Sequence, residues 1–418
     1  MYATQQKLQR TSNKPKNIKY HNQKLILSMF RKAENLSIPD IADKINLSKT
    51  TVTKVVNDFA AKGLVKTSGK GNSTDVGGKK PELFAFNASF LHVITLSLGI
   101  RTLSCAVMDL KCHAISSKSV DCDVQVSYKK AIRRMADIIH AMMKEAGLSG
   151  KEVHSIVLGC EGIIDATSGV IRYTVHHAWG TNLPVREDLA RALSFPATIY
   201  VNNNSRLAGY YQALLNADLY EPVAVITSSS HSIGGSILEN QQPMQGANGF
   251  IGEIGHMIIE PYSEIKCHCG GYGCFESLVS PPTVLAQAGK LYTDYPRSCL
   301  YQKAKEGALT ITDVFEASNQ QDPLACILLD KVIRYFSILI HNIVLLRDPS
   351  RIVIQGVYSS AGDYFLENLR RQVNSLPFYK VERDLPIVYA PASALNVYLI
   401  GAGYYAVDVF LDTNSLYD

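Results

Sequence analysis

Three cysteines fall within eight residues of the stretch GHMIIEPYSEIKCHCGGYGCFES, Gly255 to Ser277. Cys267 and Cys269 are one residue apart, and Cys274 follows the tetrapeptide GGYG. Those glycines let the backbone fold tightly enough to aim three sulfurs at one point. His256 upstream completes a Cys₃His set, the closed ligand count of a structural zinc site. His268 is a rival fourth ligand, although its place between two ligating cysteines would usually turn it away. Buried free thiols are the other alternative; redox chemistry would use Cys-x-x-Cys, which this stretch lacks. A closed shell leaves no position for catalysis, so the expected metal is a frame.

Glu253, His256 and Glu276 lie at the edges of that frame, and VNNN, Val201 to Asn204, ends a strand elsewhere. Carboxylates, imidazole and amides pair with sugar hydroxyls. Strand-end asparagines are also common turn residues, so spacing alone leaves both roles open.

The elements that must position these groups alternate. Strand signals appear at LHVITLSLGI, LSCAVMDL, SIVLGC, ATIYVNN, PVAVITSS, GGSILE and RIVIQG. Helical stretches such as KKAIRRMADIIHAMMKEAG and DPLACILLDKVIRYFSILIHNIVLL separate several of them, which predicts an α/β fold. About 330 residues from residue 88 onward is long for one sheet, so two lobes are expected. No apolar run reaches the roughly 18 residues of a membrane span, and the polar, basic start has no apolar segment of a secretory signal. The nine cysteines are odd in number and, outside the cluster, scattered, which predicts reduced thiols and a cytoplasmic protein.

The net charge of +5 is uneven: residues 1–80 carry 16 Lys and Arg against 5 Asp and Glu. A positive excess confined to one end is the footprint of a nucleic-acid-binding module. NQKLILSMFRKAEN places Leu25, Ile26, Met29 and Phe30 at helical spacing. Ser37 then caps IPDIADKI with Asp40 as a capping-box partner, and Ser48 caps KTTVTKVVNDFAAK, which Gly63 ends. Two short helices joined by a tight turn predict a helix-turn-helix. The second helix would offer Lys49, Thr50, Thr51, Thr53 and Lys54 to bases and phosphates in the major groove. Strand-like pieces near Leu64–Thr67 and Leu83–Phe86 flank a glycine-rich basic loop. That loop reads as a wing whose Lys70, Lys79 and Lys80 reach phosphate or minor groove.

GEIGHMIIEPYSEIKCHCGGYGCFES, together with the helix-turn-helix and GGKKP, resembles the ROK family (repressors, open reading frames, kinases), in particular its winged-helix regulators of sugar metabolism. The similarity runs from about residue 22 to the C-terminus. It implies a basic arm at 1–21, a winged helix-turn-helix at 22–87, and a two-lobed actin-like, ribonuclease-H-like domain. The small lobe would span 88–200, with 393–418 packing back on it, and the large lobe 201–392. The resemblance further implies zinc on His256, Cys267, Cys269 and Cys274. Sugar contacts are implied from Asn203, Glu253, His256 and Glu276, with Asn204 beside them, and His256 would serve both metal and sugar. A homo-dimer or tetramer acting on an operator, with a sugar or sugar phosphate as effector, is the implied assembly.

The departures point away from catalysis. Family kinases open with Asp-x-Gly-Gly-Thr, where this chain has SLGIR, with Ser97, Ile100 and Arg101 at the changed positions. Their second phosphate loop becomes SHSIGG, Ser230 to Gly235, and their paired glycines become Gln355-Gly356. The asparagine–aspartate pair that binds and deprotonates the sugar reads Asn203-Asn204. In the loop TVHHAWGTNLP, near Trp179, His176 and His177 lie where an asparagine is common. The expectation is therefore a DNA-binding transcriptional regulator with a degenerate kinase domain and no enzymatic activity. An active ATP-dependent sugar kinase and a constitutive DNA-binding scaffold are the alternatives.

Overall fold

The structure, a computed structural model, describes residues 15–71, 80–122, 126–174, 177–216, 220–375, 384–413 and 416–417. Its N-terminal module comprises α1 (Pro15–Lys32), β1 (Leu36–Ser37), α2 (Ile38–Ile45), α3 (Lys49–Ala61), β2 (Val65–Lys70) and β3 (Glu82–Phe86). Ser37 and Asp40 form a reciprocal capping box at α2, and Ser48 Oγ accepts from Thr51 N at 3.1 Å at α3. The chain leaves α3 through Gly63 at φ +78°. The three strands pair antiparallel in the order β1-β3-β2. α1 begins at Pro15, ahead of the boundary expected at residue 22. Proline is well suited to a first helical turn, and Tyr20 of this early segment packs against the core, a tertiary contact that the polar local sequence conceals.

The next lobe is built from β4 (His92–Leu98), β5 (Thr102–Met108), β6 (Ala114–Asp121), α4 (Tyr128–Ala146), β7 (Val153–Cys160), β8 (Ile163–Asp165), β9 (Val170–Tyr173), α5 (Val185–Ala192) and β10 (Thr198–Asn203). α6 (Asn204–Leu215) leads into a second lobe of β11 (Val223–Ser228), β12 (Ile233–Glu239), β13 (Gln242–Pro243), α7 (Phe275–Val279), α8 (Pro281–Leu291), α9 (Tyr301–Glu306), α10 (Ile311–Asn319), α11 (Pro323–Arg347), β14 (Arg351–Gly356), α12 (Gly362–Asn374) and β15 (Ile387–Tyr389). The last helix, α13, runs Val397–Leu411.

The two five-stranded sheets share one plan. In β10-β7-β4-β5-β6, three strands form an antiparallel meander and two add in parallel; β13-β12-β11-β14-β15 repeats this. Such a repeated α/β sheet brings the carboxyl ends of the parallel strands to one crevice, where ligands of open α/β sheets bind. The strands β4, β7 and β11 are buried throughout or nearly so, as expected for strands covered on both faces.

α13 packs along α6, and the contact is backbone-close: a Cβ on Gly401 would lie 1.8 Å from the Leu207 carbonyl. Only glycine fits there. One hydrophobic cluster joins the N-terminal module to this helix and the segment after it, with Ile26, Phe30, Val56 and Phe59 on one side and Leu399, Val407, Phe410 and Tyr417 on the other. No helix among the described residues is long and apolar enough to cross a membrane.

Candidate functional site

Between Gly255 and Phe275 the chain makes few regular elements, and backbone bonds supply its shape. Cys267 N donates to Gly271 O at 2.8 Å, and Gly270 N donates to Cys267 O at 2.9 Å. Gly273 sits at φ +67°, with its missing Cβ 2.0 Å from the Glu260 carbonyl, so the turn before Cys274 demands glycine. Glu260 Oε2 accepts from Tyr335 Oη at 2.6 Å, which pins the loop to α11.

His256, Cys267, Cys269 and Cys274 converge, with one ligand atom from each within 4.8 Å of the others. Cys269 Sγ lies 3.6 Å from Cys274 Sγ, and Cys267 Sγ lies 3.6 Å from His256 Nδ1. Ligands at about 2.3 Å (S) and 2.0–2.1 Å (N) from a tetrahedral centre stand roughly 3.5–3.8 Å apart, so the set fits a metal ion. His268, the rival ligand, is exposed and outside this set. Burial pushes the Cys267 and Cys274 thiols up and the His256 imidazole down. All nine cysteines are free thiols.

Beside the metal-ligand set lies a cleft of about 270 Å³, lined by Asn203, Asn204, Glu253, His256 and Glu276. Its volume sits just below the roughly 300–1,000 Å³ of sites for larger small molecules, a size suited to one sugar ring. All five residues expected to meet a sugar therefore reach one cavity. His256 has its Nδ1 3.6 Å from Cys267 Sγ and also lines the cleft. Asn203 ends β10 and caps α6, its Oδ1 accepting from Ser205 N at 2.8 Å and Arg206 N at 3.3 Å. Its Nδ2 donates to Gly162 O at 2.9 Å and to Glu253 Oε1 at 3.1 Å, tying the two lobes together.

Asn204 is differently engaged. Its Nδ2 donates to Leu98 O at 3.0 Å, and its Oδ1 accepts from Ser97 Oγ at 3.2 Å. An aspartate there could not donate to that carbonyl. Gln355 is buried and accepts from Gln212 Nε2, so an amide fills the place the resemblance gives to a glycine. Trp179 and His177 stack at 4.3 Å, and Trp179 Nε1 donates to Val126 O at 2.7 Å. That pair packs on the first lobe and does not line the cleft; His176 lies outside the described residues.

The cleft also holds Glu161, Tyr173, Phe250 and Tyr398, which were not singled out from the sequence, and Ser232 of the SHSIGG stretch. The adjacency of Glu161 to a strand end was the only available hint. Burial raises Glu161 to about 7, against a lowering bond from Ser232 and helped by Glu276 and Glu253. Burial likewise raises Glu253, which Arg206 partly offsets, and Glu276, which a bond from Ile233 N partly offsets, each to about 7.

The sign of the Glu161 shift is testable. Its folded-state value exceeds the ordinary 4.5, so the folded protein keeps a proton that the unfolded chain releases, and stability falls as pH rises from 4.5 to about 7. Urea midpoints at about pH 5 and about pH 8 are expected to drop less in Glu161→Gln than in wild type. Equal drops would contradict the assignment.

In the N-terminal module, Lys49, Thr50, Thr51 and Lys54 are exposed along one end of α3, as are Lys70 at the end of β2 and Lys80 shortly before β3. Thr53 is half-buried and its hydroxyl donates to Lys49 O at 2.7 Å, leaving its methyl and lone pairs for contacts. Lys79 lies outside the described residues.

Comparison with known proteins agrees with this anatomy. The winged helix-turn-helix DNA-binding model matches residues 21–66. The xylose repressor of Caldicellulosiruptor bescii is 23% identical over 361 residues, covering 86% of this chain and 89% of the repressor. A glucokinase of Halalkalibacterium halodurans is 27% identical over 248 residues, covering 59% of this chain and 74% of the kinase. A ROK-family transcriptional regulator homologous to the Escherichia coli MLC protein superposes with a TM-score of 0.77 at 22% identity, covering 96% and 99% of the two chains. The ROK family model itself matches residues 93–408, and the chain belongs to the ROK family.

Proposed function

We propose that this protein is a sugar-responsive, DNA-binding transcriptional repressor. One observation carries the reading: α13 starts in the cleft with Tyr398, and the chain just beyond its end is held by the DNA-reading module. Fifteen helical residues span about 22 Å. Past that end, Tyr417 packs edge-on against Tyr20 at 4.9 Å and Phe59 at 6.3 Å. Lys62, the C-cap of α3, donates to Leu416 O at 3.0 Å, Lys24 pairs with Asp412, and Arg31 lies 4.7 Å over Tyr404. A sugar that reseats Tyr398 and Asn203 moves a helix whose following segment is held by Phe59 and Lys62 at the end of the recognition helix.

In this reading His256, Cys267, Cys269 and Cys274 hold zinc, which orients His256 toward a sugar hydroxyl beside Asn203, Asn204, Glu253 and Glu276. Lys49, Thr50, Thr51, Thr53, Lys54, Lys70, Lys79 and Lys80 meet DNA. The active form is a homo-dimer or tetramer, because symmetric half-sites need paired readers. The named repressor among the relatives supports the direction of control.

The test is binding to the chain's own upstream DNA against random duplex at moderate salt; no preference would defeat the reading. Lys49→Ala or Lys54→Ala is expected to weaken operator binding and flatten the salt slope by roughly one unit. An unchanged slope would remove that lysine from the phosphate contacts.

The glucokinase match keeps a kinase reading in view. Against it stand Asn204, which cannot take a proton at neutral pH, and the replaced phosphate turns. Losing a general base alone costs about 10²–10⁴ in rate, and positioning carries most of phosphoryl transfer. A coupled assay with ATP is expected to show no turnover above a Cys269→Ser control. Asn204→Asp is expected to restore none, since it sets a carboxylate against the Leu98 carbonyl. Measurable wild-type turnover would promote the kinase reading.

A further inference from the structure

We propose that Glu161 sets the class of effector: the cleft takes a sugar with no anionic group and turns away phosphorylated and acidic sugars. The inference rests on the sugar reading above and narrows it. Glu161 follows β7 directly, and its Oε1 accepts from Ser232 Oγ at 3.0 Å, so its carboxyl group bridges the first lobe to the β11–β12 turn. With Glu253 and Glu276 it places three carboxyl groups in a lining that, among the described residues, contains no lysine or arginine. Arg206, a buried cation on α6, is turned to Asn202 Oδ1 at 2.8 Å and the Gly249 carbonyl at 3.5 Å. Arg101 acts on His231 from outside the lining.

Backbone amides can hold a phosphate without any cation, but five at or beside this cleft are already bonded to side chains. Asn203 Oδ1 takes the first amides of α6, from Ser205 and Arg206. Ser229 Oγ takes the amides of His231 at 3.2 Å and Ser232 at 2.9 Å. Glu276 Oε2 takes that of Ile233 at 2.8 Å. An entering phosphate meets three carboxyl groups and amides already bonded. Glu276 Oε1, by contrast, is buried with no partner among the described residues, an acceptor that a hydroxyl or ammonium group satisfies.

The test is calorimetric titration and thermal shift of the full chain with matched series: neutral monosaccharides, their amines, their 6-phosphates and their uronic acids. At about pH 8, above the value of about 7 to which Glu161, Glu253 and Glu276 are each raised, the wild type is expected to bind the best non-anionic sugar at least about tenfold tighter than its phosphate, because like charges in a cleft of low dielectric repel. Glu161→Gln is expected to shrink that ratio by about tenfold, and Glu161→Ala, which also removes the Ser232 bond, to do the same. A phosphate binding the wild type as tightly as its parent sugar would overturn the proposal without any variant. An unchanged ratio in both variants would overturn it as well. In either case the sugar reading survives; no response to any member of any series ends the sugar reading and this proposal together.

Discussion

Cys269→Ser is expected to lose its metal, melt at a lower temperature and bind its sugar more weakly, all in one protein. Cys269 belongs to the His/Cys group that could hold a metal ion and also lines the cleft. Removing a direct ligand is expected to weaken metal affinity by more than the roughly 10–100-fold that partners outside the coordination shell are worth. The loop from Gly255 to Phe275 has few regular elements of its own, so metal binding free energy is folding free energy for that segment. His256 then loses the partner that orients its ring, and the Glu276 segment loses its anchor. Metal analysis of chelator-free wild type is expected to return one equivalent per chain. A Cys269→Ser protein that binds sugar like wild type would separate the metal from the site.

Tyr417→Ala is expected to leave sugar affinity unchanged while abolishing the effect of sugar on DNA binding. Tyr417 is 3% exposed, wedged between Tyr20 of α1 and Phe59 of α3, and its hydroxyl donates to Leu411 O at 2.5 Å. Truncating a buried aromatic of this size costs about 3–5 kcal/mol. The loss falls on the joint between the DNA reader and α13, far from the cleft. Operator titrations with and without sugar would expose the split. A normal sugar response in Tyr417→Ala would rule out the joint as the route of coupling.

Local chemistry explains which features were legible in the sequence. The His/Cys group, the two serine caps and the exit through Gly63 depend on residues close in the chain, and the structure brings the four side chains together and forms both caps and the glycine turn. The buried strands were legible as apolar runs, and both long helices as periodic ones. Long-range packing was not. Glu161 reads as an isolated acid, and only the approach of the β11–β12 turn makes it part of the cleft. Tyr398 and Tyr417 look like ordinary tyrosines near the end of the chain. Their roles come from α13 lying against α6, which in turn needs the absent side chain of Gly401. The start of α1 was missed because Tyr20 finds its partners nearly four hundred residues away, at Asp412 and Tyr417.

The central claim is that cleft and DNA reader share one equilibrium, and reciprocal linkage tests it most directly. Operator affinity is measured by anisotropy across a titration of the best-binding sugar, and sugar affinity by calorimetry with and without saturating operator. The account predicts that each ligand changes the other's affinity by one common factor, about 5–150-fold, or about 1–3 kcal/mol of coupling. Operator affinity that stays constant while the sugar saturates its cleft would contradict it.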